Sequence, residues 1–327
     1  VTLNVVIVGI THWHAPRYVQ MLRKRGAQLV GASDADAHAG AGAAARHGID
    51  FVADTAALLD RARPDFAVVV PRHDQAIAQI RTVADRRIPM LVEKPMGRDA
   101  NESRVSAEAI RRSGVFATLC FPNRHLEIWD VYRDLLAQDA LGTVMHAHFR
   151  TINGPPARYI DYGVPWMLDP QCSGGGALRN LGIHGADAIA TLAGDRALKL
   201  VGGKTTSIGH HSTVEDFAAG VFATEDGFIA TLEAGYSYAN MQEGGDYEWR
   251  IAATGAYLQE TNGRLRVHKR GGALEERMVR TPAVAYEIMV NAALDAFEQG
   301  KPPPASADDC VRAVQLQDWI YAAATEG

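Results

Sequence analysis

The sequence has little cysteine and no arrangement of it that carries chemistry. Cys120, Cys172 and Cys310 are scattered, odd in number and free of CxxC spacing, which argues against a disulfide framework or a structural zinc site and fits a reducing compartment. No apolar run reaches the roughly 18 residues that suggest a membrane span. There is no excess of positive charge: the formal net charge is -5, so the overall field gives no footing to nucleic acid or an anionic membrane. Internal repeats and low-complexity segments are also missing. The opening VTLNVVIVGI lacks the basic n-region and cleavage site of a signal peptide and reads as a β-strand, so a cytoplasmic location is expected. What remains is globular, with 47% hydrophobic and 22% charged residues over 327 positions, a length that suits two domains rather than one.

Through about residue 120, short apolar runs alternate with helical stretches, as in a parallel sheet wrapped by helices. Val5 to Val8 is a continuous apolar run, as a strand buried on both faces should be. Pro16 then suits the first turn of a helix and Gly26 its end. Strands are expected at 29–32, 51–52, 66–70, 90–92 and 115–121, and helices at 35–46, 54–63, 73–86 and 101–112. The texture then changes. A helix (126–138) precedes an alternating strand (143–152), a long loop rich in Pro, Gly and aromatics (153–176) and a helix (183–193). From Leu198 to about Val279 the chain is strand-rich, with turn signals at Gly202-Gly203, Asp226-Gly227, Gly244-Gly245 and Gly271-Gly272. Two helices, about 282–299 and 306–325, finish it.

The strand–turn–helix at Val5–Gly26 is where a dinucleotide fold places its phosphate loop, because glycines let the backbone approach a pyrophosphate and the helix N-terminus offers N–H groups. The GxGxxG pattern here reads Gly9-Ile10-Thr11-His12-Trp13-His14, with Thr11 and His14 at two glycine positions. By itself this is an ordinary βα turn. Asp34 follows Gly9 by 25 residues, near the ~20-residue spacing of a ribose-binding acid. A carboxylate there would accept from the ribose hydroxyls and repel a 2′-phosphate, favouring NAD over NADP; the competing role is to cap the next helix. Val68-Val69-Val70-Pro71 ends a strand where the cofactor would cross the sheet. His12 and His14 also form an HxH pair of the kind that opens metal hydrolases on (β/α)₈ barrels. A barrel needs further β/α units where this sequence runs strand after strand, so no metal is expected and His12 is assigned to the cofactor.

Glu93-Lys94-Pro95 sits at the carboxyl end of a buried strand, where burial and a nicotinamide charge would depress the lysine pKa. This strand with its Glu-Lys-Pro resembles the glucose–fructose oxidoreductase / inositol dehydrogenase / rhizopine catabolism (Gfo/Idh/MocA) family, and the resemblance covers nearly the whole chain. It takes in Pro71 and His73 before a helix, Phe121-Pro122-Asn123-Arg124 and Leu141-Gly142-Thr143-Val144. It continues through Gly174-Gly175-Gly176-Ala177-Leu178, Leu181-Gly182-Ile183-His184-Gly185-Ala186-Asp187 and the closing Gly300-Lys301-Pro302-Pro303-Pro304.

The resemblance implies an α/β fold. A Rossmann doubly wound parallel sheet that binds NAD would occupy 1–122. An α+β domain with an open, mostly antiparallel sheet would occupy 123–327, with its last helix packing back on the first domain. It implies a sugar, cyclitol or polyol substrate and a homodimer or homotetramer formed through the C-terminal sheet. Lys94 matches the family's active-site lysine and His184 its histidine, while Asn180 stands where many members carry Asp. Cofactor contacts are expected from Gly9, Thr11, His12, Asp34, Pro71, His73, Glu93, Lys94 and Asn123. Substrate contacts are expected from Arg124, Tyr159, Trp166 and His184.

Oxidising a secondary alcohol needs hydride transfer and proton removal. An imidazole suits the proton and an amine the developing negative charge, so His184 is read as base and Lys94 as clamp, with the reverse assignment open. Asn180 and His184 are i, i+4 and share a helix face. An amide at 180 cannot support an imidazolium, and Asp187 is either the substitute charge or an ordinary core-satisfying Asp. Arg158, Tyr159, Asp161, Tyr162 and Trp166 have the mix of aromatic and polar groups that a sugar pocket needs, or pack their own loop; Tyr236 and Tyr238 carry a weaker version of the same signal. A non-catalytic sensor and a redox-neutral enzyme that uses NAD transiently are the alternatives.

Overall fold

The computed structural model describes residues 2–239 and 245–325; Gly244, in the third turn signal, lies outside them. The chain forms two compact units. The first gathers Val1–Phe121, Tyr159–Gly174 and Glu287–Val311, the second Pro122–Arg158, Gly175–Tyr286 and Arg312–Gly327.

The first unit is built on a parallel sheet of β1 (Asn4–Val8), β2 (Gln28–Ser33), β3 (Phe66–Val69), β4 (Met90–Val92) and β5 (Ala117–Leu119), in the order β2-β1-β3-β4-β5. Val5 to Val8 are fully buried, as two covered faces require. The strand expected at Phe51-Val52 shrinks to one parallel bridge between Phe51 and Ala32. Counting that bridge, the order is 3-2-1-4-5-6, the dinucleotide-binding arrangement whose crevice opens at the strand carboxyl ends where the order reverses, between β1 and β3.

The helices start and stop where local chemistry tells them to. Pro16 lies in the first turn of α1 (Ala15–Lys24), and Arg23 and Lys24 lie in its last turn, where cations suit the helix dipole. Asp36 caps α2 (Ala37–Arg46), Asp54 caps α3 (Thr55–Ala62) and Asp99 caps α5 (Ala100–Ser113), each side chain accepting a backbone N–H three residues on. A 3₁₀ turn, His73–Gln75, leads into α4 (Ala76–Ala84). The stretch expected to be loop carries α7 (Arg158–Asp161), a 3₁₀ turn Pro165–Leu168 and α8 (Pro170–Ser173). Of the closing helices α10 (Pro282–Glu298) and α11 (Ala307–Thr325), the Glu287–Val311 stretch belongs to this unit. Phe297 packs 5.2 Å from Phe66, and the Ala305 carbonyl accepts from Leu119 N–H at 3.0 Å.

The second unit has α6 (Glu127–Ala137), α9 (Ile183–Ala193) and an eight-stranded sheet. Its strands are β6 (Val144–Ile152), β7 (Leu198–Thr206), β8 (Phe217–Thr224), β9 (Ile229–Gly235), β10 (Asp246–Ala253), β11 (Ala256–Thr261), β12 (Arg264–Lys269) and β13 (Leu274–Met278). The order is β13-β12-β11-β10-β6-β9-β8-β7, and every neighbouring pair is antiparallel except β6 with β9. Burial alternates along β8, so one sheet face is core. That face receives α9 at very close range: a Cβ on Gly185 would stand 2.4 Å from Leu232 and 3.0 Å from Phe149. The fold class is therefore the α/β plus mostly antiparallel α+β architecture expected from the sequence.

Candidate functional site

The switch-point crevice of the first unit is lined by Gly9, Thr11, His12, Asp34, Ala35, Val70, Pro71, Arg72, Gln75, Gln79 and Trp166. Gly9 has φ +89 and a Cβ there would lie 2.3 Å from the Val70 carbonyl oxygen, so only glycine lets the end of β1 meet the end of β3. Thr11, at a glycine position of the fingerprint, turns inward: its N–H and its hydroxyl both donate to Asp34 Oδ2, at 2.8 and 2.7 Å, and Asp36 N–H donates to Oδ1 at 3.0 Å. Asp34 is thus not the cap of α2; that role falls to Asp36. Three of its roughly four acceptor sites are used inside the loop, which leaves about one for a ligand.

Aromatic rings fill the space that the lost glycines would have left. Trp13 stacks on His12 with centroids 3.9 Å apart, and Trp166 stands 5.9 Å from Trp13 and 6.2 Å from His12. His73 is buried: its Nδ1–H donates to the Ser173 carbonyl at 2.7 Å and its ring meets Trp166 at 5.1 Å. Arg72 forks onto Asp74 at 2.9 and 3.1 Å. Tyr159 is 1% exposed and packs on Trp13 at 5.6 Å, which makes it a support of the loop. Arg72, Gln75 and Gln79 are crevice residues that sequence reasoning did not pick out. The two glutamines, four apart at the start of α4, carried the only signal, a shared helix face.

Glu93 and Lys94 follow β4 at the carboxyl end of the sheet, and both are buried, at 2% and 3% exposure. Glu93 Oε2 accepts from the Tyr18 hydroxyl, and Oε1 lies 3.2 Å from His14 Nδ1. Tyr18 Oη is also 2.8 Å from Cys120 Sγ. With the phenol proton given to the carboxylate, the thiol is the donor there, and burial pushes the Cys120 pKa well up, so the thiol keeps its proton. Burial works against charge on Glu93, but His14, His12 and Lys94 together outweigh it and hold its carboxyl below the usual range. Burial lowers the His14 pKa against the pull of Glu93. The pair is best described as an ionised carboxylate receiving Nδ1–H from a neutral ring. Burial lowers the Lys94 pKa, and the Glu93 charge partly restores it.

In the second unit, a π-helical turn, Leu178–Gly182, interrupts the approach to α9, the kind of local widening that marks functional positions. Tertiary partners hold it: Glu215 accepts from Gly176 N–H and Leu178 N–H, both at 2.8 Å, and Gln317 donates to the Leu178 carbonyl at 2.5 Å. The turn carries Asn180, whose Nδ2 donates to Tyr236 Oη at 3.3 Å. The Arg158 guanidinium lies 5.4 Å from the centre of the same Tyr236 ring. His184 stands in the first turn of α9, 8% exposed. Asp187 does not stand as a spare charge: Arg124 grips it with two bonds of 2.6 and 2.8 Å. Arg124, expected at substrate, thus uses two of its guanidinium N–H groups on Asp187. Asn123 lies in the 3₁₀ turn Pro122–His125.

Matches to known proteins follow the two units. The model described as "Oxidoreductase family, NAD-binding Rossmann fold" matches residues 3–121, and the GFO/IDH/MocA C-terminal domain matches residues 129–259. The chain belongs to the GFO/IDH/MocA family of oxidoreductases. Within that family, 1,5-anhydro-D-fructose reductase of Ensifer adhaerens is 23% identical over 258 residues, 78% of this chain and 74% of that one. An oxidoreductase from Agrobacterium radiobacter, solved with NAD+, L-tartaric acid and magnesium, shares the fold with a TM-score of 0.86 at 17% identity, covering 100% of this chain and 97% of that one. An inositol dehydrogenase homologue from Azotobacter vinelandii, solved with NAD+, does so with a TM-score of 0.85 at 15% identity, covering 100% and 96%. Among the described residues no helix is long and apolar enough to cross a membrane, and no group of three or more His, Cys, Asp or Glu side chains is placed to hold a metal ion.

Toward the family's dinucleotide the crevice offers a buried polar atom without a hydrogen-bond partner among the described residues, His12 Nε2, which a ligand oxygen would satisfy.

Proposed function

We propose that this GFO/IDH/MocA protein is an NAD-dependent dehydrogenase that oxidises a secondary hydroxyl of a sugar, cyclitol or related polyol. The observation that carries the reading is Lys94: a buried amine of depressed pKa, beside an ionised Glu93, at the carboxyl end of the strand next to β3, whose own end lines the dinucleotide crevice. Gly9, Thr11, His12, Asp34, Pro71 and His73 would hold the dinucleotide or shape its loop. A bound nicotinamide supplies the hydride acceptor. Lys94 holds the substrate oxygen and stabilises its growing negative charge, and His184 takes the hydroxyl proton. Asp34 contributes one acceptor to a ribose hydroxyl and repels a 2′-phosphate, which supports NAD over NADP. Relatives point the same way in substrate class: levoglucosan dehydrogenase, of similar fold, was solved with NADH and levoglucosan. The sheet face away from α9 carries exposed Ile229 and Tyr257 and supports self-association into a dimer or tetramer, measurable by light scattering.

The test is a polyol and sugar panel read by reduced-nicotinamide absorbance, with Lys94→Met and His184→Ala alongside. Turnover on at least one substrate, lost by 10²-fold or more in each variant, is expected. Wild-type rates in both variants would remove the scheme. A second reading, a nucleotide-dependent sensor without turnover, is favoured by one observation: the turn that leads to His184 carries the amide Asn180 where the family resemblance places a carboxylate. Dinucleotide binding with no turnover on any panel member supports it, and substrate conversion without net NAD reduction marks a redox-neutral enzyme.

A further inference from the structure

The geometry points to His12 as the side chain that binds the phosphate bridge of the dinucleotide, donating Nε2–H in place of a loop amide that this chain has turned inward. The inference rests on the reading of the crevice as a dinucleotide site and adds to it the atom, its protonation and the ligand group it meets.

Glycine-rich loops hold phosphate through backbone N–H groups presented at a helix N-terminus. Here one of those N–H groups, that of His14, points at His12 Nδ1 across 3.1 Å. A ring nitrogen that accepts a hydrogen bond bears no proton, so the proton of the neutral imidazole is on Nε2. The donor lost from the backbone therefore reappears at the far side of the ring. Nε2 is buried with no hydrogen-bond partner among the described residues, and the residue is 4% exposed. A buried donor left without an acceptor is unfavourable, and a bound oxygen would remove that cost.

The ring cannot swing freely to find another partner. Trp13 lies flat against it at 3.9 Å, 24° from parallel, and the His14 ring meets it edge-on at 5.2 Å. His12 lines the same crevice as Gly9, Thr11 and Asp34, immediately before α1, whose N-terminal dipole favours an anion. The Asp34 carboxylate is an acceptor, with three of its sites already used by Thr11 and Asp36, and offers a phosphate no donor. A phosphate oxygen is the ligand atom that matches a neutral N–H donor at a helix N-terminus.

The groups around the ring are His14, Glu93, His73 and Lys94, and burial lowers the His12 pKa well below its usual value, with only Glu93 opposing. The ring stays neutral near pH 7, so its contribution to affinity is a hydrogen bond rather than a charge.

The experiment titrates the full chain with NAD+, ADP-ribose and adenosine, followed by tryptophan fluorescence (Trp13 stacks on the ring in question) and by calorimetry. The wild type is expected to bind NAD+ and ADP-ribose with a Kd flat from about pH 6.5 to 9. His12→Phe keeps a flat ring and removes the donor. It should weaken NAD+ and ADP-ribose by roughly 10- to 100-fold, the range of a hydrogen bond to a charged group, and leave adenosine unchanged. His12→Gln, which can place an amide N–H near the Nε2 position, should recover most of the loss, and His12→Asn should not. If His12→Phe misfolds, the contrast between Gln and Asn still decides. Unchanged NAD+ affinity in His12→Phe, or an equal loss for adenosine, overturns the inference and leaves the dinucleotide site standing. A wild-type chain that binds neither NAD+ nor NADP+ overturns the site itself.

Discussion

Glu260, on β11, is a carboxyl in an unfavourable place. It is 6% exposed, and its Oε2 accepts the backbone N–H of Ile128 at the start of α6 at 2.8 Å. Burial raises its pKa from 4.5 to about 7, with the Ile128 N–H opposing, Glu127 and Asp130 adding repulsion and Arg280 offsetting part of it. A carboxyl whose folded pKa lies above its unfolded value binds more protons when folded. Its contribution to stability is therefore full below about pH 4.5 and is lost as pH rises through 7. The gap between those two values corresponds to about 3 kcal/mol at its limit, above pH 7. Glu260→Gln keeps an oxygen for the Ile128 N–H and removes the titration. We expect the variant to be more stable than the wild type by about 1–3 kcal/mol at pH 8 and nearly equal to it at pH 5, a difference of roughly 2–8 °C in the unfolding midpoint. Thermal and urea unfolding at the two pH values measure it. Equal stability of the two proteins at pH 8, or a gap that widens on acidification, would refute the reasoning.

Gly9→Ala should lower stability by on the order of 3 kcal/mol and abolish dinucleotide binding, since a methyl there meets the Val70 carbonyl; chemical denaturation and an NAD+ titration check both. Arg124→Met removes the partner of buried Asp187 and should cost about 2–4 kcal/mol of stability while KM changes by less than about twofold; a large KM effect with intact stability would return Arg124 to the substrate. Asn180→Asp puts a carboxylate on the turn before His184 and should raise the apparent pKa of the basic group in the kcat/KM profile, at a stability cost of about 1–3 kcal/mol for the buried charge. An unmoved profile would mean that the imidazole at 184 is not the base.

What could be read from the sequence was whatever depends on near neighbours. Asp54 capping α3, Pro16 in the first turn of α1 and the unbroken Val5–Val8 run are local instructions, and each produced its element. The lysine after β4 was legible because a strand end followed by Glu-Lys-Pro needs no distant partner to be recognised. Long-range side-chain pairs were not legible: Tyr18 and Cys120 are 75 and 102 residues from their partners in the Glu93 cluster, and Arg124 is 63 residues from the Asp187 it neutralises. The π turn at 178–182 was equally hidden, because Glu215 and Gln317 impose it from outside the segment. The same distinction explains why the worn glycine fingerprint is weak as a motif. Thr11 and His14 remove the backbone freedom that makes the motif recognisable, but Thr11 ties the turn to Asp34 and His12 takes up the His14 amide. Side chains thus carry what glycines leave to backbone, and a loop built that way tolerates no glycine count as a measure of whether it binds.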